Sequence, residues 1–307
     1  MAGEDALTPG LSSGGSRAGY LTFRALGEVL KRLPEPIAAA AGYAAGMLMW
    51  AMPSKRRSIH ARHMARVLGR ELPEVEAREW ARRAFVSYAR YWVEGARLPA
   101  LQGSVVEDRM VIESGMENLV EGMRLGRGVV MVLPHVGSWE WGGAWLALRG
   151  FPMTSVAEPL EPPELYEYFV EQRKAIGLDI VKLGEASRYL LTKLGEGGLV
   201  GLLCDRDLVG NGVEVDFFGE KTKLPAGPAL LALHTGAVLL PTAVYSGPGR
   251  DHTGLIEAPV AAERKGHLRD DVSRVTQDLA IALERLIRRA PEQWHLFQPN
   301  WPSDPRS

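Results

Sequence analysis

The chain has 307 residues, and its 36 Lys and Arg against 37 Asp and Glu leave a formal net charge of −1. With 46% hydrophobic and 24% charged residues it can build a large core, which excludes a low-complexity disordered chain and a disulfide-stapled secreted module. Balanced charge also excludes a nucleic-acid binder driven by a net positive field. The single cysteine, Cys204, lies in an apolar run, can form no intramolecular disulfide and reads as a core residue.

Residues 1–19 are rich in Gly, Ser and other small residues without periodicity, which predicts a flexible tail; a signal-peptide pattern is absent. Leu21, Leu26, Val29, Leu30 and Leu33 then recur at helical spacing between charged residues, an amphipathic helix. Ile37 to Met52 carries no charge but is Ala- and Gly-rich and slightly short for a membrane span. Lys55, Arg56, Arg57, Arg62, Arg66 and Arg70 follow with no acid among them. An apolar helix followed by a basic cluster suits a segment lying on an anionic membrane surface; a buried helix followed by a solvated one has the same pattern. Residues 73–98 read as a further helix, with Trp80, Phe85, Tyr88 and Trp92 as a core stripe.

The pattern changes near Gly128. Short apolar runs at 129–134, 153–157, 178–183, 199–204, 237–245 and 254–260 alternate with helical stretches at 163–176, 185–195, 226–235 and 268–290. This predicts one α/β domain over residues 20–302, with a central, largely parallel or mixed sheet flanked by helices and the N-terminal helices packed over it. No phosphate loop, dinucleotide fingerprint, nucleophile elbow, HExxH or paired CxxC occurs, which argues against the common kinases, dehydrogenases, serine lipases and zinc enzymes.

The segment VVMVLPHVGSWEWGGAW (129–145) is where chemistry fits. A buried strand ends at Pro134, His135 follows, and Glu140 comes five residues later at the start of a helix. Ligands in open α/β sheets bind beyond the carboxyl ends of the strands. A histidine there can serve as a general base, with a carboxylate fixing its tautomer, or it can simply cap a turn. Gly137, Gly142 and Gly143 permit close approach.

HVGSWE resembles the His-x4-acid signature of the glycerolipid and lipid A acyltransferases. The stretch 204–244, beginning CDRDLVGNGVEVDFFGEKTKLPAGP, resembles the second sequence block of the lipid A branch, and PEQWHLFQPNW (291–301) resembles its C-terminal motif. Glu in place of the usual Asp, with AEPLEPPELYEYFVEQRKAIG downstream, looks most like the mycobacterial branch acting on phosphatidylinositol mannosides. The resemblance spans about residues 20–301. It implies a peripheral enzyme at the cytoplasmic face of the plasma membrane, with no resident cofactor or metal. Such an enzyme moves a palmitoyl chain from palmitoyl-CoA to the 6-hydroxyl of the mannose on the inositol 2-position of phosphatidylinositol mono- or dimannosides. His135 would be the base and Glu140 its partner. Asp205 and Asp207, just past the strand at 199–204, are the reserve acids; turn capping is their other reading. Arg173, Glu158 and Arg206 would meet the head group of donor or acceptor, or else form local ion pairs. Trp139, Trp141 and Trp145 would wall an acyl groove or pack into the core. His295 reads as a packing residue, His234 as part of a helix end, and His60, His63, His252 and His267 as exposed. An acyl-CoA or lipid-ester hydrolase with the same residues, and a non-enzymatic lipid-binding protein, are the alternative readings.

Overall fold

The computed structural model describes residues 16–305 apart from Pro53, so of the tail expected over residues 1–19 only the last four are described, and these are not a tail: Ser16 caps the first helix and residues 17–19 open it. Four helices come first: α1 (Arg17–Arg32), α2 (Glu35–Ala51), α3 (Lys55–Leu68) and α4 (Glu74–Arg97). The Ser16 side chain caps α1 by accepting the Gly19 N–H, and Ser54 does the same for α3 through Arg56 N–H. Helix α2 buries its small residues, Ala38, Gly42 and Gly46, and leaves Ile37, Tyr43 and Leu48 exposed; Met52, just past its end, is exposed too. A Cβ on Gly46 would stand 2.6 Å from the Val86 Cα of α4, so glycine is what lets the two helices meet backbone to backbone.

After α5 (Gly103–Asp108) come β1 (Met110–Ser114), α6 (Met116–Arg124), β2 (Val129–Leu133), α7 (Trp139–Leu148), β3 (Met153–Ala157), α8 (Pro163–Ala175) and β4 (Asp179–Lys182). Then follow α9 (Ala186–Gly195), β5 (Leu199–Leu203), β6 (Val213–Phe217), β7 (Glu220–Leu224), α10 (Gly227–Thr235), β8 (Val238–Ser246), β9 (His252–Ile256) and α11 (Leu268–Arg289). Seven strands form one sheet in the order β1-β9-β8-β2-β5-β3-β4. Strands β8, β2, β5, β3 and β4 run parallel; β9 is antiparallel to β8 and carries β1 parallel to itself. The expected single α/β domain with a largely parallel sheet is the architecture found. Strand β2 is buried at every position, as its uninterrupted apolar run requires.

Several details differ from the sequence reading. Strand β1, helices α5 and α6 and the antiparallel hairpin β6–β7 were not anticipated; each of these elements is nine residues long or shorter, too short for a clear period. Packing also continues past residue 302: buried Asp304 holds His63 Nε2 at 3.1 Å and Arg66 Nη1 at 2.9 Å. The basic cluster is not a free stripe. Arg66 also pairs with Glu220, Arg70 pairs with Glu76, and Arg57 and Arg62 donate to the carbonyls of Trp50 and Ser303. Three histidines expected at the surface, His60, His63 and His252, are fully buried. His60 stacks on Phe297 and His252 on Trp141, aromatic partners supplied by remote segments. Among the described residues no helix is long and apolar enough to cross a membrane.

Candidate active site

Strands β2 and β5 pair in parallel with Leu133 opposite Leu203, so their carboxyl ends are level. The Cys204 N–H donates to the Leu133 carbonyl at 2.9 Å and extends the match one step further. His135 and Asp205 each lie two residues beyond these ends and therefore meet. His135 Nδ1 is 2.5 Å from Asp205 Oδ1, and the His135 backbone N–H donates to Asp205 Oδ2 at 3.0 Å. The Trp294 indole N–H donates to the same Oδ2 at 2.6 Å, and the Asn300 amide holds the Asp205 carbonyl at 3.1 Å. Asp205 is wholly buried. Burial alone would raise its carboxyl pKa, but the His135 imidazole, the Trp294 N–H and the His135 backbone N–H outweigh burial and hold it below the ordinary value. A carboxylate on Nδ1 fixes the imidazole tautomer that leaves Nε2 as acceptor. Nε2 meets no hydrogen-bond partner among the described residues, and the side chain keeps 14% of its surface open.

Glu140 is not the partner of His135. Its carboxylate accepts from Arg173 Nε at 2.9 Å, and both side chains are mostly buried. The Arg173 guanidinium lies 5.2 Å from the Trp139 ring centre and 5.7 Å from that of Phe169. Burial opposes its charge, but Glu140 and Tyr91 more than offset this and raise its pKa. The physical reason is one of supply. Strand β5 brings a carboxylate to His135 from the neighbouring strand, and without Glu140 the buried Arg173 would lack a counter-ion. The two reserve acids separate cleanly. Asp205 takes the histidine, whereas Asp207 accepts the N–H groups of Val209, Gly210 and Gly212 and so caps a turn.

Arg206 and Glu158 form an ion pair at 3.1 Å across the ends of β5 and β3, and burial lowers the Arg206 pKa. Arg173 and Arg206 are thus both committed to local carboxylates. Trp139, Trp141 and Trp145 are all buried. Trp139 and Trp145 line an apolar cavity of about 20 Å³ between α7 and the sheet, with Met110, Met131 and Met153 among its walls. Trp141 does not line it; its ring stacks on His252 at 4.2 Å and its N–H reaches the Val106 carbonyl at 3.3 Å.

The sequence reading missed part of the site. His295 N–H donates to the His135 carbonyl at 2.8 Å, and its Nε2 lies 2.9 Å from Ser87 Oγ. Tyr88 and Tyr91 of α4 each stand 5.5 Å from the His295 ring. Trp294 and Asn300 lie in the C-terminal motif, so their presence was visible but their target was not. His234 does sit at a helix end, with Nδ1 2.8 Å from the Leu230 carbonyl.

A His–Asp pair at level strand ends of a parallel sheet, with one ring nitrogen open, has the geometry that general-base chemistry requires. The chain belongs to the bacterial lipid A biosynthesis acyltransferase family, whose profile matches residues 17–303, and it is an acyltransferase. It is 39% identical over 248 residues to the phosphatidylinositol mannoside acyltransferase of Mycolicibacterium smegmatis, covering 79% of each chain. The protein of the same name from Mycobacterium tuberculosis is 38% identical over 71% of this chain and 69% of its own. A lipid A biosynthesis acyltransferase of Haemophilus influenzae is 24% identical over 59% of this chain and 55% of its own.

Proposed function

We propose that the protein transfers a palmitoyl group from palmitoyl-CoA to the 6-hydroxyl of the mannose on the inositol 2-position of phosphatidylinositol mono- and dimannosides. The carrying observation is the His135–Asp205 pair with its open Nε2, in a chain whose relatives bear that substrate class in their names. His135 Nε2 takes the proton of the sugar hydroxyl as its oxygen attacks the thioester carbonyl. Asp205 keeps the ring in the accepting tautomer and balances the imidazolium that forms. No covalent acyl-enzyme and no resident cofactor take part; acyl-CoA is a co-substrate.

The acyl chain enters the apolar space beside Trp139 and Trp145. At about 20 Å³ the cavity is far smaller than the roughly 150 Å³ that admits a benzene-sized guest. The flexible thioethers of Met110, Met131 and Met153 therefore have to swing aside. The enzyme works peripherally at the cytoplasmic face of the plasma membrane. The exposed Leu21, Leu26 and Val29 of α1, Ile37 and Leu48 of α2, and Met52 just past the end of α2 enter the lipid surface.

The test is mass spectrometry of products from palmitoyl-CoA and a panel of mannosylated phosphatidylinositols. A single palmitoyl ester on the stated mannose, with CoA released in equal amount, supports the reading. CoA release that ignores the mannoside and yields free palmitate assigns the protein to the hydrolases instead.

A further inference from the structure

We propose that Trp294 is a positioning residue of the catalytic pair, its indole N–H fixing the Asp205 carboxylate so that Oδ1 faces His135 Nδ1; this rests on the acyl-transfer reading. A carboxylate turns readily about the Cβ–Cγ bond of an aspartate, so either oxygen can face a neighbouring imidazole. In the fold the two oxygens have different partners. Oδ2 accepts the Trp294 indole N–H at 2.6 Å and the His135 backbone N–H at 3.0 Å, which leaves Oδ1 to His135 Nδ1 at 2.5 Å.

The indole is held in turn by the loop that carries the base. Trp294 forms an antiparallel bridge with Val136. On either side of that bridge the His295 N–H donates to the His135 carbonyl at 2.8 Å, and the Gly137 N–H donates to the Gln293 carbonyl at 3.0 Å. The strap 293–295 therefore runs along the His135 loop, and Trp294 reaches from it to the acid. Other elements tie the strap down. The Gln293 side chain accepts from the Ser246 N–H at 2.7 Å and donates to the Ser246 carbonyl at 2.8 Å, and His295 Nε2 lies 2.9 Å from Ser87 Oγ. The Trp294 ring is fully buried, with the rings of His63, Phe217, Phe218 and Trp301 centred 5.5–6.3 Å away. Packing of this density leaves the indole one orientation, so its N–H is aimed at Oδ2 before the imidazolium forms.

The same N–H governs how tightly the pair holds its proton. It draws charge from the carboxylate, so the imidazolium is stabilised less than it would be by an Oδ2 without this donor. Other titratable groups surround the pair. Burial keeps His295 neutral, with a pKa of about 3, and pushes the Cys204 thiol well above its ordinary value. Arg206 is paired with Glu158, and beyond the indole His63 is paired with Asp304. The indole N–H bonds to none of these, so its removal acts through Asp205.

The experiment replaces Trp294 in two ways: Trp294→Phe, and incorporation of benzothienylalanine, which keeps the size of the indole and puts sulfur in place of the N–H. Turnover of palmitoyl-CoA with phosphatidylinositol dimannoside is followed over a pH series, below the unfolding midpoint of every variant. Loss of a hydrogen bond to a charged group should lower kcat by about 10- to 100-fold in both variants, with KM unchanged. The acid limb of the kcat/KM profile should move up by about one pH unit. A benzothienyl enzyme with wild-type kcat and pH profile overturns this assignment alone, whatever Trp294→Phe does. So does a loss that follows the fraction of folded protein while the acid limb stays in place, which leaves the indole a packing role. A wild type that turns over no acyl-CoA overturns the acyl-transfer reading and this assignment together.

Discussion

Asp205 carries a full charge where no water reaches it, so each donor on it matters. Trp294→Phe removes the indole N–H at 2.6 Å from Oδ2 and should cost about 1.5–3 kcal/mol for a hydrogen bond to a charged group. The smaller ring leaves a void that adds to this loss. Urea unfolding measures the change; a variant as stable as wild type would contradict the role given to that indole. Glu140→Gln should act differently. It leaves Arg173 buried without a counter-ion, a loss of about 3–5 kcal/mol, so its signature is a lowered unfolding midpoint. Glu140 and Asp205 thereby acquire separate tasks, and only Asp205 meets His135. Proximity in sequence favoured Glu140, five residues from His135. The pairing of β2 with β5, which brings in Asp205 from 70 residues away, is written in no local pattern.

The N-terminal helices have two faces with different duties. On α2 the glycine side sets the approach to α4, and Gly46→Val should fail to pack because Val86 and Phe85 backbone atoms already occupy that space. Thermal unfolding would register this as a marked fall. The opposite side carries Leu48, 63% exposed. Replacing Leu26 and Leu48 together with glutamate should weaken sedimentation with anionic vesicles while leaving the unfolding midpoint unchanged. Charge reversal at the exposed Lys55 and Arg62 should weaken it by about 1 kcal/mol per cation. Vesicle binding indifferent to all four substitutions would remove these helices as the docking surface. Beneath α7, filling the cavity from β3 with Met153→Phe should shift preference toward shorter acyl chains, since each buried CH₂ contributes about 0.8 kcal/mol. Chain-length profiles of kcat/KM with eight- to sixteen-carbon donors read this out. The longer helices, β2 and the apolar runs of the later parallel strands were legible because apolar periodicity follows burial, whereas the short α5 and α6 and the strand order were not. Strand β1 and the β6–β7 hairpin were not legible either, since each strand is five residues long and buries only one or two of them.

Across the whole molecule, buried histidines set the response to acid. Burial lowers the pKa values of His60, His252 and His295 to about 3. Each stays neutral in the fold, while the unfolded chain takes up protons below its ordinary value near 6.5. Stability is therefore unaffected above that value and falls as pH drops from about 6.5 toward 3, by about 1.4 kcal/mol per pH unit for each histidine. Unfolding midpoints measured from pH 7.5 to 4.5 should decline steadily. Replacing His60, whose two ring nitrogens meet no partner, with phenylalanine should flatten the slope; an unaltered slope would show that His60 is not among its sources. His295 was read as a packing residue, whereas His60 and His252 were read as surface residues because flanking charges mark solvated faces. Their burial depends on Phe297 and Trp141, brought in from far along the chain.

The central claim is that His135 and Asp205, rather than His135 and Glu140, form the catalytic pair. Its most direct test is the turnover number of purified, folded Asp205→Asn with saturating palmitoyl-CoA and phosphatidylinositol dimannoside. An amide on Nδ1 cannot balance the imidazolium and can impose the wrong tautomer, so kcat should fall by about 10²–10⁴. A folded Asp205→Asn enzyme that keeps more than about a tenth of wild-type turnover, well short of the loss expected from disabling the base, would contradict the account.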